Sequence, residues 1–93
     1  MDDAVTPPLQ RHELRLPDLG VPGPAKLSLW LVEDGAEVTE GDRLVEILAG
    51  NATVDLPSPA SGVLRQVVIN EDETVTPGQL LAEIEEVAAE SQP

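Results

Sequence analysis

Few side chains in this sequence are of types that could carry covalent chemistry. Lys26 is the only lysine and His12 the only histidine among the 93 residues, and cysteine is absent. The lack of cysteine excludes thiol catalysis, thiolate zinc sites and disulfides. His12 has neither a cysteine partner nor a serine in a nucleophile-elbow sequence, so it forms no recognisable nucleophile–base pair. We therefore predict no catalytic residues and expect His12 to lie on the surface.

Two short motifs could accept or bind a ligand, and neither is specific. Asn51-Ala52-Thr53 matches the N-glycosylation pattern, but the acidic start Met1-Asp2-Asp3 is unlike a secretory signal. Glu71-Asp72-Glu73 groups carboxylates without the spaced oxygen ligands and the glycine of a calcium loop. The sequence predicts an unglycosylated segment, a solvated acidic turn and no metal site.

The stretch around which the chain is organised is a predicted β-hairpin. Strand-forming residues 46–49 and 52–56 flank the dipeptide Gly50-Asn51. Glycine adopts positive φ at no steric cost, and asparagine tolerates similar backbone angles. A two-residue loop with glycine first is typical of a type II′ turn, whose twist matches that of the adjoining strands. We therefore predict a tight hairpin tip at Gly50-Asn51.

Other short runs alternate polar and apolar residues between glycine, proline and acidic turns, which predicts further strands. No stretch carries a sustained apolar stripe at helical spacing. Within the second strand Leu27, Leu29 and Leu31 would share one face and Trp30 would occupy the other. Trp30 either packs against the sheet or marks a partner-binding patch. The predicted strands are residues 12–16, 26–32, 38, 44–48, 52–56, 63–69, 75 and 79–84.

The two halves of the chain repeat each other. An offset of 37 positions, the distance from Val38 to Val75, also superposes Gly41 on Gly78. Because neither half can bury its apolar face alone, the two should pack face to face about an approximate twofold axis. This predicts an all-β fold, a flattened barrel or sandwich of two short antiparallel sheets, with one sheet from each repeat.

The length of 93 residues allows one domain. Residues 1–11 show no periodicity and are expected to form a flexible leader. The barrel is predicted at residues 12–86 and a flexible tail at 87–93. The chain is expected to fray from Glu85 onward, because that segment has no second face to bury.

The net charge of −13 limits the classes of partner. It argues against nucleic acid, whose phosphates would be repelled, and favours a basic protein surface, although acidity also serves solubility alone. No apolar run approaches the about 20 residues that span a bilayer, so no membrane partner is predicted. Because the sequence lacks a secretory signal and cysteine, a cytoplasmic location is expected.

A set of short motifs occurs in a fixed order and at fixed spacings from about residue 13 to about residue 86. They are Leu16-Pro17-Asp18-Leu19-Gly20, Leu29-Trp30-Leu31-Val32-Glu33-Asp34-Gly35, Val38, Gly41-Asp42, Glu46-Ile47, Ala52-Thr53-Val54-Asp55-Leu56-Pro57-Ser58-Pro59, Gly62-Val63-Leu64, Val75 and Pro77-Gly78. This set resembles the lipoyl domains of 2-oxoacid dehydrogenase complexes, within the biotinyl/lipoyl-attachment family. The resemblance implies that family's pseudo-symmetric barrel of two sheets.

In that family the hairpin tip carries Asp-Lys-Ala, and the lysine is joined to lipoic acid through an amide to form a swinging arm. The resemblance places the family's lysine at Asn51 and its aspartate at Gly50. The asparagine amide is not a nucleophile and Lys26 is near the start of a strand, so no lipoate or other cofactor is expected. Asn51 could reflect a natural loss, an engineered substitution or an alignment shifted by one residue. Gly50-Asn51 could equally be a turn that only closes the hairpin.

The resemblance leads to three hypotheses of function. The leading one is a non-enzymatic lipoyl-like interaction or scaffold module, with residues 48–53, the loop at 18–24 and the acidic faces as its contact surface. Its expected partners are 2-oxoacid dehydrogenase components or a lipoylation enzyme. One alternative is a carrier domain of an acyltransferase component whose attachment site is altered in this form. The other is an isolated structural protein.

Overall fold

Antiparallel β-strands make up the fold in the computed structural model, which describes residues 9–20, 22–66 and 69–87. These residues contain no helix, and hence none long and apolar enough to cross a membrane. Each strand overlaps one predicted from the sequence, so the all-β prediction is confirmed. The rest of the expected leader and tail, residues 1–8 and 88–93, lies outside the described part of the chain. The strands are β1 Leu9–Arg15, β2 Ala25–Trp30, β3 Glu37–Val38, β4 Arg43–Ala49, β5 Ala52–Pro57, β6 Gly62–Gln66, β7 Thr74–Val75 and β8 Leu80–Val87.

The strands form two four-stranded sheets, one with the order β1-β8-β6-β3 and the other with the order β5-β4-β2-β7. We call the second the hairpin sheet. Each sheet takes its two outer strands from the other half of the chain, because β1 and β3 flank β8 and β6, and β5 and β7 flank β4 and β2. The prediction of one sheet from each repeat is therefore wrong. Alternation of polar and apolar residues determines which face of a strand is buried, but not which strand it pairs with.

The predicted twofold relation is confirmed by the strand orders and the backbone hydrogen bonds. Exchanging β1–β4 with β5–β8 converts one strand order into the other. The Leu27 N–H donates to the Glu73 carbonyl at 2.9 Å, and the Leu64 N–H donates to the Ala36 carbonyl at 2.9 Å. These two bonds are equivalent under the offset of 37 positions. The repeats therefore interlock through matching bonds.

The core lies between the two sheets and is aliphatic. Inward and outward side chains alternate along most strands, as the two-residue period of a strand requires. Leu27 and Leu64, which the offset superposes, are both fully buried. Both repeats therefore supply equivalent residues to one shared core. The other large side chains that are essentially inaccessible are Leu16, Leu44, Val45, Ile47, Val75, Leu81 and Ile84.

A β-bulge in β2 changes which leucines face the core. The pairing of β2 with β4 slips between Leu27 and Leu29. Leu29 and Leu31 are consequently 43 % and 40 % exposed, while Leu27 is fully buried. The prediction that these three leucines share a face is wrong, because the extra residue of a bulge reverses the alternation beyond it.

The same bulge places Trp30 against the core. Trp30 lies opposite the fully buried Val45 of β4 and is half-buried among core residues. Its Nε1–H donates to the carbonyl of Ile69 at 3.2 Å, which satisfies the indole N–H of a half-buried ring. Of the two interpretations of Trp30, this geometry supports packing.

Two strands of the first sheet extend beyond their predicted ends. β1 begins three residues before its predicted start, and β8 continues three residues past its predicted end. Arg11 Nε lies 3.6 Å from Glu85 Oε2, and His12 Nε2 lies 2.8 Å from Glu86 Oε1. The expected fraying from Glu85 is wrong, because β8 pairs with β1 through both of these residues. His12 lies on the surface, as predicted, with 34 % of its side-chain area exposed.

The turns before β3 and β7 each place a residue at positive φ, and this permits a stability test. Gly35 has φ 90°, and its counterpart Asp72 has φ 72°. A Cβ at Gly35 would meet only Arg65 Nη1, at 3.9 Å, so space is not limiting. We expect Gly35→Ala to lower the free energy of unfolding by about 1 kcal/mol, because left-handed backbone penalises a Cβ. Urea denaturation measures the loss.

The matched control for Gly35→Ala is Asp72→Gly, which removes a Cβ from the equivalent backbone conformation. It should leave the free energy of unfolding unchanged or raise it. Equal losses in the two variants would mean that the turns do not hold the left-handed conformation.

Candidate functional site

The tip of the β4–β5 hairpin is a two-residue loop. Ala49 is paired with Ala52, which leaves Gly50 and Asn51 between them, both exposed. Gly50 has φ 63°, whereas Asn51 is not among the described residues with positive φ. Positive φ at the first central position alone is the sign pattern of a type II′ turn, since type I′ requires it at both positions. The backbone therefore agrees with the turn predicted here.

A row of small buried residues holds the base of the hairpin tip. Ala25 of β2 lies opposite Ala49 on one side and Val75 of β7 on the other, and all three are buried. β4 ends at this row and β5 begins beside it, since Ala49 pairs with Ala52, so only the two-residue loop lies beyond the row. No atom lies within 4 Å of the place that a Cβ on Gly50 would take. The sheet therefore presents Gly50 and Asn51 in open space.

A long loop enters the same end of the barrel. Residues 17–24 lead into β2, and their twofold counterpart, residues 59–61, is five residues shorter. Within the loop, of which all but Val21 is described, the Gly20 N–H donates to Asp18 Oδ1 at 2.9 Å. This short-range bond fixes the turn. Of these two related loops, the one at the hairpin end is therefore the longer.

A small apolar cavity lies between this loop and β7. Its volume is about 60 Å³, and its walls include Leu16, Leu19 and Val75. Small-molecule sites usually measure about 300–1,000 Å³, so this cavity is too small for a cofactor. A wider groove of about 460 Å³ lies at the twofold-related position, beside Val38 and Glu85, and no lysine, histidine or cysteine lines it. Neither space contains a strong nucleophile.

The side chains at the hairpin tip do not form a reactive set. Asn51 presents a neutral amide, which has no nucleophilic nitrogen. Lys26 is exposed within β2, opposite Leu48 and Thr74, on the outer face of the hairpin sheet. The structure therefore brings Gly50 and Asn51 together at the tip and places Lys26 in a strand, opposite Leu48 and not on the turn. Among the described residues, no group of three or more His, Asp or Glu could hold a metal ion.

Ion pairs cover the outer face of the first sheet. Glu85 lies between two arginines, with its carboxylate 3.6 Å from Arg11 Nε and 3.1 Å from Arg65 Nε. Arg15 Nε donates to Glu13 Oε1 at 2.8 Å, and this hydrogen bond, together with the carboxylate charge, raises the pKa of the Arg15 guanidinium above its ordinary value. Exposed pairs of this kind add little stability. They do give this face a charged, water-compatible surface.

The outer face of the hairpin sheet carries exposed apolar residues instead. We call Leu29, Leu31 and Leu48 the leucine strip; their side chains are 39–43 % exposed. Sequence analysis did not identify this surface. The bulge that turns Leu29 and Leu31 outward leaves no periodic signal, and only Leu48, which alternates with buried neighbours in β4, could have been found from the pattern.

Comparison with family models matches residues 12–84 to the biotin/lipoyl family, whose description is "biotin-requiring enzyme". This match covers almost all of the strands that form the two sheets.

Several curated proteins are similar to the chain. It is 34 % identical over 82 residues to the dihydrolipoyllysine-residue acetyltransferase component of the pyruvate dehydrogenase complex of Azotobacter vinelandii, covering 88 % of this chain and 13 % of that protein. It is 34 % identical over 82 residues to the corresponding component of the acetoin cleaving system of Pseudomonas putida, covering 87 % and 22 %. The pyruvate dehydrogenase component of Staphylococcus aureus is 32 % identical over 79 residues, covering 84 % and 18 %. The chain thus spans less than a quarter of the length of these relatives.

Proposed function

Because the chain belongs to the biotin/lipoyl family, we propose that it is a lipoyl-type domain without an acceptor lysine, acting through protein contacts rather than by carrying a cofactor. The observation that carries this proposal is Asn51 at the exposed hairpin tip. The family's lipoate is joined to a lysine amine at this place, and an asparagine amide does not fit that linkage. The domain therefore acts without an arm and is not itself an enzyme.

The partners follow from the family and from charge. The relatives are named as dihydrolipoyllysine-residue acetyltransferase components, one of them of a pyruvate dehydrogenase complex, which supports a setting in or near a 2-oxoacid dehydrogenase complex. A dehydrogenase component or a lipoylation enzyme would meet the hairpin tip and the loop at residues 17–24. The net charge of −13 favours a basic surface on that partner.

A carrier domain with an altered attachment residue is the second candidate. The observation that favours it is the backbone of the tip, since Gly50 and Asn51 still form an exposed two-residue loop beyond the core. If no modifying enzyme recognised this turn, its length would not be constrained to two residues during evolution. This candidate differs from the first in expecting a form of the protein that carries lysine at position 51.

The intact mass of the protein tests the proposal. After expression with lipoate and a lipoate ligase, we expect only the unmodified polypeptide mass, because neither Asn51 nor the strand residue Lys26 offers a lysine on the turn. A lipoyl domain with lysine at its tip, treated in the same reaction, is the positive control. A mass increase of one lipoyl group would overturn the proposal, and Lys26→Arg would then show whether Lys26 is the acceptor.

A further inference from the structure

The outer face of the hairpin sheet carries adjoining apolar side chains. Leu29 lies on β2 and Leu31 directly follows the end of that strand, and both are exposed. Lys26 of β2 pairs with Leu48 of β4, and at the next outward-facing position along these strands Leu29 pairs with Glu46. Leu29 and Leu48 are therefore diagonal neighbours. Diagonal neighbours on one face of a sheet are about 7–8 Å apart, within reach of long side chains. The leucine strip is therefore one contiguous patch rather than three isolated residues.

The fold does not require leucine at the centre of this patch. The offset of 37 positions places Leu48 at the position of Glu85 in the other repeat. Glu85 is accommodated on the outer face of the first sheet by Arg11 and Arg65. A charged side chain is therefore compatible with this position in the strand. Packing within the domain gives no reason for the leucine at position 48.

Carboxylates flank the leucine strip on both long sides. On one side the turn before β7 pairs with β2, since the Asp72 N–H donates to the Leu27 carbonyl at 2.7 Å. On the other side Glu46 of β4 lies opposite Asp55 of β5. We call these carboxylates the acidic rim. Its members are Glu46, Asp55, Glu71, Asp72 and Glu73.

The charge on this face remains negative after its cations are counted. Lys26 and Arg43 are the basic residues on the four strands of the hairpin sheet, and Arg43 Nη1 lies 3.4 Å from Asp55 Oδ2. The acidic rim outnumbers these two cations, in keeping with the net charge of −13 for the chain. A ligand for this face must therefore combine apolar and positively charged groups.

We propose that this face binds a basic amphipathic helix of a partner protein. Leucine-type side chains of the helix would cover the leucine strip, and lysines or arginines beside them would meet the acidic rim. A second copy of this chain would be a poor occupant, because it brings the same negative charge. The inference does not rest on the state of position 51.

A designed peptide can test this surface. The probe is a labelled leucine–lysine peptide of about 18 residues, long enough to form a helix, with leucines spaced i, i+3, i+4 and i+7. Its control has the same composition with the leucines scattered around the helix. Binding is measured by fluorescence anisotropy at about 0.15 M salt, where long-range attraction is screened. The amphipathic peptide should bind at least about tenfold more tightly than the scattered control peptide.

Leu48→Glu separates burial of the strip from simple charge attraction. The variant adds a negative charge, so a purely electrostatic complex with a basic peptide would become tighter. Loss of apolar burial should instead weaken binding by about tenfold or more. Circular dichroism checks that the variant is folded, and Leu29→Gln, which adds no charge, should weaken binding in the same direction. Equal or tighter binding by Leu48→Glu, or equal binding of both peptides, would overturn the proposal.

Discussion

Replacing Gly62 by alanine should remove a large part of the stability of this domain. A Cβ at Gly62 would overlap the carbonyl oxygen of Glu85 and lie 2.9 Å from its carbonyl carbon. Both atoms belong to the backbone of β8, which is paired on both sides, with β1 and β6. Relief of the clash must therefore break strand pairing. We expect a loss of about 3 kcal/mol or more, from a total that for a domain of this size is on the order of 5–10 kcal/mol.

Trp30 makes the measurement simple, because it is the only tryptophan and it packs against the core. Urea denaturation followed by its fluorescence should show a much lower midpoint for Gly62→Ala at an unchanged slope. Gly78→Ala is the matched control, since φ there is 88° and the space for a Cβ is open; it should cost only about 1 kcal/mol. Similar losses in the two variants would show that β6 and β8 are not in the close contact described.

Asn51→Lys should convert the domain from a non-acceptor into an acceptor of lipoate. The substitution places an amine on the exposed two-residue tip, where the family carries its modified lysine. The side chain at this position is exposed, so a lysine should fit without altering the fold. Incubation with lipoate, ATP and lipoate ligase should add one lipoyl group to most of the variant and none to the parent protein. Intact mass spectrometry reads the result directly.

The control for Asn51→Lys is a lysine on the same hairpin but outside the turn. Thr53→Lys serves, because Thr53 is exposed in β5 opposite Leu48, and it should stay unmodified if the enzyme recognises the tip. An unmodified Asn51→Lys would point to Gly50 as the obstacle. The double variant Gly50→Asp with Asn51→Lys restores both family residues. If the double variant is also unmodified, the turn does not present its residues as a lipoyl tip does.

The sequence predicted every strand of the described part of the chain, because the signals for strands are local. Alternating residues and glycine turns determine where strands begin and which side chains they bury. The hairpin tip was predictable for the same reason, since Gly50 supplies positive φ between two strand-forming runs. The offset of 37 positions predicted the twofold relation. These features needed no knowledge of distant contacts.

Features that depend on distant partners were not predictable. The exchange of β3 and β7 between sheets depends on which sheet edge each strand pairs with. A strand of two residues is too short for its sequence to specify that partner. The bulge that exposes Leu29 is a slip between β2 and β4, which no periodicity in one strand can encode. The extended ends of β1 and β8 are paired through charged residues such as Arg11 and Glu85, which sequence patterns assign to solvent. The leucine strip was missed because it depends on the bulge.

The exchange of outer strands between the halves also constrains how the chain can be made. Among the described strands β1 is the first in the chain, yet it pairs with β8, the last of them. Neither half can complete a sheet during synthesis on the ribosome, because each lacks a strand that the other supplies. The domain therefore cannot fold, and its core leucines stay exposed, until the chain as far as β8 has left the ribosome. Such long-range closure also makes folding slow for a chain of this length.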